Sequence, residues 1–244
     1  MAFSFFNKKI EFNFENLGVD MHSHLIPGID DGATDLENSI QLIRGLKEVG
    51  FKKLITTPHI MADYYQNTPE IILRGLDKVR NELASQGVDI EMDASAEYYF
   101  DENLTGLIKS KRIIPLHKKY LLFELSYINV PNGLPNLIFD IQNAGYIPVL
   151  AHPERYPFYH DKFEEYEAFV EKGCLLQLNF LSLSGNYGPG VKKIAQKLLE
   201  KNLISFISTD LHNQRHMDKI KNNITEKKIV NQIKDYPFLN KNLL

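Results

Sequence analysis

Gly18-Val19-Asp20-Met21-His22-Ser23-His24 opens as a short apolar run and ends in two histidines two residues apart. On a β-strand, residues i and i+2 point to the same side, so both imidazoles can reach one ion. Asp210-Leu211-His212 has the same spacing near the other end of the chain. Between them come the Asp30-Asp31-Gly32 stretch, His59 in Thr56-Thr57-Pro58-His59, and Glu97 in Ser95-Ala96-Glu97. Glu124 in Phe123-Glu124-Leu125 and His152 in Leu150-Ala151-His152-Pro153 complete the series. A lone H-x-H is weak evidence, because chance pairs are common and a buried structural histidine is the ordinary alternative. The joint pattern is the argument: nine candidate ligands (His22, His24, one of Asp30 and Asp31, His59, Glu97, Glu124, His152, Asp210 and His212), nearly all just beyond strand-like apolar runs.

The periodicity places those runs in a regular alternation. Strand-like segments lie near 18–22, 52–57, 88–96, 120–126, 146–151, 174–179 and 204–209. Helical patterns fit 69–86, 101–110, 133–144, 162–172 and 190–201, and a first helix starts after Thr34 or Asp35. Thr34 and Glu37 are spaced like a capping box. Leu36, Ile40, Leu42, Ile43, Leu46 and Val49 supply that helix's apolar stripe, and Gly50 stops it. Gly87, Gly145 and Gly173 sit where helices should end in left-handed caps. Seven strand–helix units without a break in composition read as one α/β domain. An open doubly wound sheet uses a crevice at its switch point, so few strand ends could contribute. Here six of the seven strands end in or next to a ligand, which predicts a closed or nearly closed barrel with its site at the C-terminal mouth. The strand near 174–179 ends instead at Asn179, a polar candidate for the pocket. The glycine-rich loop 182–190 is the candidate rim or lid.

Nine nitrogen and oxygen ligands converging on one face imply more than one metal ion, and multi-metal sites of this kind perform hydrolytic phosphate chemistry. Imidazole and carboxylate without thiolate suit Mn²⁺, Fe or Zn²⁺ better than Ca²⁺ or Mg²⁺. A hydroxide shared by two ions roughly 3.5–4 Å apart is a nucleophile at neutral pH. A phosphate site wants a guanidinium fork. Arg155, on the loop after His152, is the first candidate, and Arg215, three residues after His212, the second. Tyr98, Tyr99 and Tyr156 flank ligands and offer aromatic walls, although packing is an equal reading of each. His117, His160 and His216 fit no ligand pattern and read as surface or rim.

The 244 residues, 43% apolar and 24% charged, have the balance of an ordinary globular chain. A formal net charge of −3 argues against a nucleic-acid partner. The lysines of 211–244 read as the solvated face of a helical tail. The single cysteine, Cys174, allows no internal disulfide, consistent with a cytoplasmic location. It reads as core. It also excludes thiol-based phosphate transfer, which needs an arginine six residues on, where Phe180 stands. No apolar run is long enough to span a membrane. In the first residues the charges follow the apolar run, the wrong order for a signal peptide; packing onto the domain is the expected fate of that segment.

These motifs, D-M-H-S-H with D-D-G-A, S-A-E-Y-Y, A-H-P-E-R-Y and S-T-D-L-H-N, resemble the polymerase-and-histidinol-phosphatase (PHP) superfamily of metal-dependent phosphoesterases. Within it the chain looks most like the bacterial tyrosine-protein phosphatases encoded with capsular and exopolysaccharide genes. The resemblance implies a distorted seven-stranded (β/α) TIM-like barrel over 17–244, with 1–16 as an N-terminal extension. It implies three divalent metal ions, Mn²⁺ foremost. His22, His24, Glu97 and Asp210 would bind the first; Glu97 would bridge to a second completed by Glu124 and His152; Asp31, His59 and His212 would bind the third. The implied substrate is a phosphotyrosine-containing protein, the tail of a tyrosine kinase of polysaccharide export, with a homo-oligomer compatible. A small phosphomonoester such as histidinol phosphate is the alternative substrate. A 3′–5′ exonuclease is disfavoured by the acidic charge, and a non-catalytic metal-bound module by the complete ligand set.

Overall fold

A computed structural model describes residues 13–244. The expectation for the first nine residues lies outside the described residues. Among the described residues nine short strands form two sheets, and every ladder is parallel. The first sheet has the order β1 (Val19–Asp20), β2 (Lys53–Thr56), β4 (Glu91–Ala94). The second runs β3 (His59–Ile60), β5 (Glu97–Tyr99), β6 (Tyr120–Glu124), β7 (Ile147–Ala151), β8 (Leu175–Asn179), β9 (Phe206–Ser208).

Nine strands appear where seven runs were expected because a short second strand follows directly on each of the runs 52–57 and 88–96. Thr57-Pro58 separates β2 from β3, and Pro58 has no N–H to offer a ladder. Ser95-Ala96 separates β4 from β5. Backbone bonds carry the pairing across the breaks: Thr57 N–H to Ser23 O (2.7 Å), Ser95 N–H to Thr56 O (2.9 Å) and Glu97 N–H to Pro58 O (3.1 Å). A parallel bridge between Ser23 and Leu211 links the segment after β1 to the segment after β9.

Most strands are buried on both faces, as parallel strands covered by helices must be, with β4 open to solvent at Glu91, and their two faces feed two cores. Tyr120 and Leu122 of β6 and Val149 and Ala151 of β7 join Val19, Met21, Ile55, Phe206 and Leu243 in an inner cluster. The alternate residues Leu121, Phe123 and Leu150 face the helices in the larger cluster. Residues from both sheets therefore share one interior.

The helices are amphipathic and capped where the residues require. In α1 (Leu36–Glu48) the N-cap is Asp35, whose carboxylate accepts from Asn38 N–H at 2.8 Å, and not Thr34. Asp35 wins because its own side chain reaches the third helical amide; Thr34 Oγ1 donates to Asp35 instead. Thr68 caps α2 (Pro69–Ser85), with Pro69 in the first turn where its missing N–H costs nothing. Ile72, Leu76, Val79 and Leu83 make its buried stripe. Each such side chain stabilises by roughly 1.5–3 kcal/mol on full burial, which holds a helix whose propensity alone would be marginal. The remaining helices are α3 (Glu102–Lys109), α4 (Leu134–Asn143), α5 (Glu164–Glu171), α6 (Pro189–Glu200), α7 (Gln214–Asn223) and α8 (Lys227–Ile233). No helix among the described residues is long and apolar enough to cross a membrane.

Two segments differ from their sequence reading. The lysine-rich C-terminal stretch is not merely a solvated tail. Met217 and Ile220 of α7 and Ile229, Val230 and Ile233 of α8 are buried. The loop 182–190 is only in part a rim, since Phe180–Ser184 form a 3-10 helix with Leu181, Ser182 and Leu183 buried.

The C-terminal segment also closes the seam between the sheets. Asn240 is fully buried; its Nδ2 donates to Val19 O (3.0 Å) and Ile207 O (2.7 Å), and its Oδ1 accepts from Ile207 N–H (3.1 Å). It thus ties β1 to β9 at the end remote from the mouth. Asn240→Ala leaves three buried backbone groups unpaired and is expected to lower unfolding free energy by about 2–4 kcal/mol. Urea denaturation of the two proteins measures it, and a loss below about 0.5 kcal/mol would show that the seam closes without this residue.

Candidate metal centre

All nine candidate ligands converge at the C-terminal ends of the strands. His22 and His24 follow β1 on either side of the bridged Ser23, and their Nε2 atoms lie 3.4 Å apart. Asp210 follows β9, with Oδ1 3.3 Å from His22 Nε2 and 3.4 Å from His24 Nε2. Glu97 opens β5, immediately after the strand break, and is fully buried. Its Oε2 lies 3.3 Å from His22 Nε2, 3.6 Å from His24 Nε2 and 3.1 Å from His59 Nδ1, and its Oε1 lies 3.0 Å from His152 Nε2. Glu124 at the end of β6 reaches His59 Nδ1 at 3.0 Å. On the outer side Asp31 Oδ1 sits 3.4 Å from His59 Nε2 and 3.5 Å from His212 Nε2. His152 (φ 32°) and Asp210 (φ 50°) are in the left-handed region, which non-glycine residues occupy at a cost.

The neighbouring layer fixes the rings. His22 Nδ1 donates to Gln177 Oε1 (2.8 Å), His24 Nδ1 to Asp30 Oδ2 (2.8 Å) and His212 Nδ1 to the Asp210 carbonyl (2.9 Å). Occupying one ring nitrogen this way turns the other toward the centre. Asp20 accepts from Thr209 N–H (2.9 Å) and Oγ1–H (2.6 Å), which holds the loop that carries Asp210. Asn179 Nδ2 and Arg155 Nη1 each donate to Asp210 Oδ2 at 2.9 Å. Gly32 is required by a close approach: a Cβ there would overlap the carbonyl and Cβ of His24. The Asp30-Asp31-Gly32 turn can therefore lie flat against the histidine pair.

The electrostatics are those of a cage short of positive charge. Burial opposes protonation of His22 and His212, but the carboxylates of Glu97 and Asp210 around His22, and of Asp210 and Asp31 around His212, outweigh it and raise both to about 9. Burial would raise Glu97, yet the imidazoles of His22 and His59 drive it well below the usual carboxylate range. Asp210 is depressed in the same way, with His22 and His212 outweighing burial. His59 Nδ1 and Glu97 Oε2 are buried without a hydrogen-bond partner, although they lie close together. Buried polar atoms left so are rare, and here they face the middle of a set of imidazole and carboxylate donors. The donors fit divalent cations: His24, Asp31, His59 and His212 lie close enough together to hold an ion, as do His22, His24 and Asp210, His22, Glu97 and His152, and His59, Glu97 and Glu124.

Above the cluster opens a cavity of about 530 Å³. Arg155 lines it, 22% exposed, its guanidinium 5.0 Å from the Tyr127 ring centre and 4.3 Å from that of Tyr187. Arg215 is exposed on the first turn of α7 and does not line the cavity. Tyr99 lines it, but Tyr98 and Tyr156 do not. Both are buried, Tyr98 accepting from Ile114 N–H and Tyr156 donating to Ala151 O, so both are packing residues. His216 reaches the mouth, whereas His160 is bonded to the Glu154 carbonyl outside it. Sequence reasoning missed Tyr65 and Tyr127, both in the wall, while Tyr187, also in the wall, lies in the 182–190 loop read as the rim. The position of Tyr127, three residues past Glu124, was the available signal for one of them. Gln177 and Asp30 were not separated from their surroundings either.

A model of the family described as capsular polysaccharide synthesis, CpsB/CapC, matches residues 18–240. The tyrosine-protein phosphatase YwqE of Bacillus subtilis is 32% identical over 196 residues, covering 80% of this chain and 77% of its own. The tyrosine-protein phosphatase CpsB of Streptococcus agalactiae is 27% identical over 201 residues, covering 80% of this chain and 83% of its own. The fold is similar to a solved structure from a study of YwqE of Bacillus subtilis and CpsB of Streptococcus pneumoniae, described as unique metal-dependent tyrosine phosphatases. The TM-score is 0.78 at 27% identity, over 92% of this chain and 94% of that one.

The caged imidazoles dictate a pH dependence. In the metal-free protein His22 and His212 titrate near 9, above the value of about 6.5 in an unfolded chain. Their stabilisation is complete below pH 6.5 and is lost as pH rises through about 9. Asp20, raised by burial to about 7, adds a loss of the same sign at lower pH. The melting temperature of chelator-treated protein is expected to fall from pH 6.5 to pH 9, and to fall less in His212→Asn. A flat or rising profile would contradict the charged cage.

Proposed function

The chain belongs to the capsular polysaccharide synthesis CpsB/CapC family, and from that premise we propose that it is a metal-dependent protein-tyrosine phosphatase, a phosphoric monoester hydrolase. The observation that carries this reading is the buried Glu97 carboxylate, ringed by His22, His24, His59 and His152 at the foot of an open cavity. His22, His24, Glu97 and Asp210 would hold one ion, Glu97, Glu124 and His152 a second, and Asp31, His59 and His212 a third. Mn²⁺ suits these donors. When bound, the ions supply a nucleophile from water at neutral pH and neutralise charge on the phosphoryl group.

The chain's own residues then bind and orient. Arg155 presents a permanently charged fork at the cavity wall, held by Asp210 and flanked by two tyrosine rings. It would grip the non-bridging phosphoryl oxygens; Arg215, exposed on α7, is less well placed for that role. Tyrosinate, with a conjugate-acid pKa near ~10, departs far more readily than the alkoxide of serine or histidinol. A site that relies on metal ions for the chemistry therefore favours aryl esters. The open mouth admits a side chain still attached to its protein. A tyrosine kinase of polysaccharide export, met in the cytoplasm, is the partner this reading favours.

The same reading extends to the scaffold. The two sheets would be arcs of one distorted seven-unit barrel, with β2 and β3 as one broken unit and β4 and β5 as another. It is supported by the interior shared between the sheets and by the Ser23–Leu211 bridge.

Side-by-side kcat/KM with saturating Mn²⁺ tests the proposal. Phosphotyrosine peptides are expected to be hydrolysed much faster than phosphoserine peptides or histidinol phosphate, and a tenfold or greater advantage for histidinol phosphate would replace the reading with a small-molecule phosphatase. In the same assay Arg155→Ala is expected to lose about 2–4 kcal/mol of transition-state stabilisation, with the metal content unchanged. Kinetics within about threefold of the parent would remove Arg155 from the clamp.

A further inference from the structure

The rim of the cavity is two-sided. Met61 and Tyr65 follow β3, Tyr99 ends β5, and Tyr127 and Ile128 follow β6. These strands are neighbours in the order β3, β5, β6, so the apolar wall residues occupy one continuous half of the mouth. The half contributed after β7, β8 and β9 is mostly polar, with Arg155, His212, Asn213 and His216 beside a single ring, Tyr187. On the apolar lip Ile128 is 91% exposed and yet lines the catalytic cavity.

Ile128 is also presented by an anchored loop. Its N–H donates to Ser126 Oγ at 3.2 Å, and Ser126 Oγ lies 3.4 Å from Asn129 Oδ1. The adjacent Tyr127 is fixed by contact with the ligand His152: the rings stack at 6.0 Å and the hydroxyl lies 3.4 Å from Nδ1. The Tyr127 ring also lies 5.4 Å from that of the buried Tyr156. The exposed isoleucine is therefore registered to the metal cluster through a single residue.

Tyr127 and Val130 of the same loop are also exposed, so Ile128 belongs to an apolar patch on the lip that gains by being covered. The cover must also leave the mouth open to the phosphoester. A second copy of the chain seated on the lip would obstruct it, whereas the substrate's own flanking residues cover the lip only while the ester lies in the cavity. Resting on the phosphotyrosine reading, we propose that Ile128 determines sequence preference. It docks an apolar side chain next to the phosphotyrosine of the substrate, so the enzyme selects apolar over acidic flanks.

The test compares Mn²⁺-loaded parent, Ile128→Ser and Ile128→Leu. The substrates are p-nitrophenyl phosphate and two phosphotyrosine peptides that differ only in carrying leucine or aspartate beside the phosphotyrosine. The parent is expected to prefer the leucine peptide by about five- to tenfold in kcat/KM, expressed in KM, less than the roughly 10–200-fold of an enclosed pocket. Ile128→Ser is expected to bring the ratio within about twofold, and Ile128→Leu to keep it. Equal rates on the two peptides in the parent, or an unchanged preference in Ile128→Ser, overturn the proposal while turnover of p-nitrophenyl phosphate leaves the phosphatase reading standing. Turnover of none of the three substrates overturns both.

Discussion

A carboxylate buried beyond the reach of water and faced by four imidazoles is the constraint on which this molecule is organised. Glu97 has His22, His24, His59 and His152 within 3.0–3.6 Å. Isolated buried charge is expensive, so the arrangement persists only because opposite charge surrounds it. In the metal-free state that charge is carried by protons on histidine. Cations carry it better, since they satisfy several lone pairs at once and release the protons. The depressed Glu97 and the raised His22 and His212 are two sides of that one competition.

The scaffold delivers these groups by interrupting its own strands. A continuous strand through 91–99 would carry Glu97 with the alternation of its neighbours. The break at Ser95-Ala96 begins a new ladder at Glu97 and moves its side chain into the mouth. Pro58 does the same for His59 on the adjacent unit. At the ends of β7 and β9 a left-handed residue replaces the break, and both such residues, His152 and Asp210, are in the cluster. Local strain at the mouth is offset by the shared interior below, where Asn240 and Leu243 close the opposite end.

Much of this was legible because polar residues that interrupt apolar runs at a strand's end stand out in one dimension. Eight of the nine candidate ligands stood out that way, and the Asp30-Asp31 pair marked the place of the ninth. The helices α1 to α6 were visible too, since their stripes and terminal glycines are local signals, whereas α7 and α8 were not separated within the lysine-rich tail. What was hidden depends on three-dimensional neighbours. Gln177 lies within an apolar strand and looks like any tolerated amide until His22 is set beside it. Asp30 cannot be told from Asp31 until one turns toward His24 and the other toward His59 and His212. Tyr98 and Tyr99 are neighbours in sequence, yet the alternation of β5 buries one and gives the other to the cavity. The strand breaks and the wall residue Tyr65 are set by pairing and loop path, which no single-residue property encodes.

Metal analysis of the parent and of Glu97→Gln, each purified without chelator and checked for fold by circular dichroism, tests the central claim most directly. The amide keeps the size of the side chain and removes the charge that joins the clusters. The account expects three ions per parent chain and the loss of the two that share Glu97, with the Asp31, His59 and His212 group keeping its own. A variant that retains the parent's full complement of metal would contradict the account.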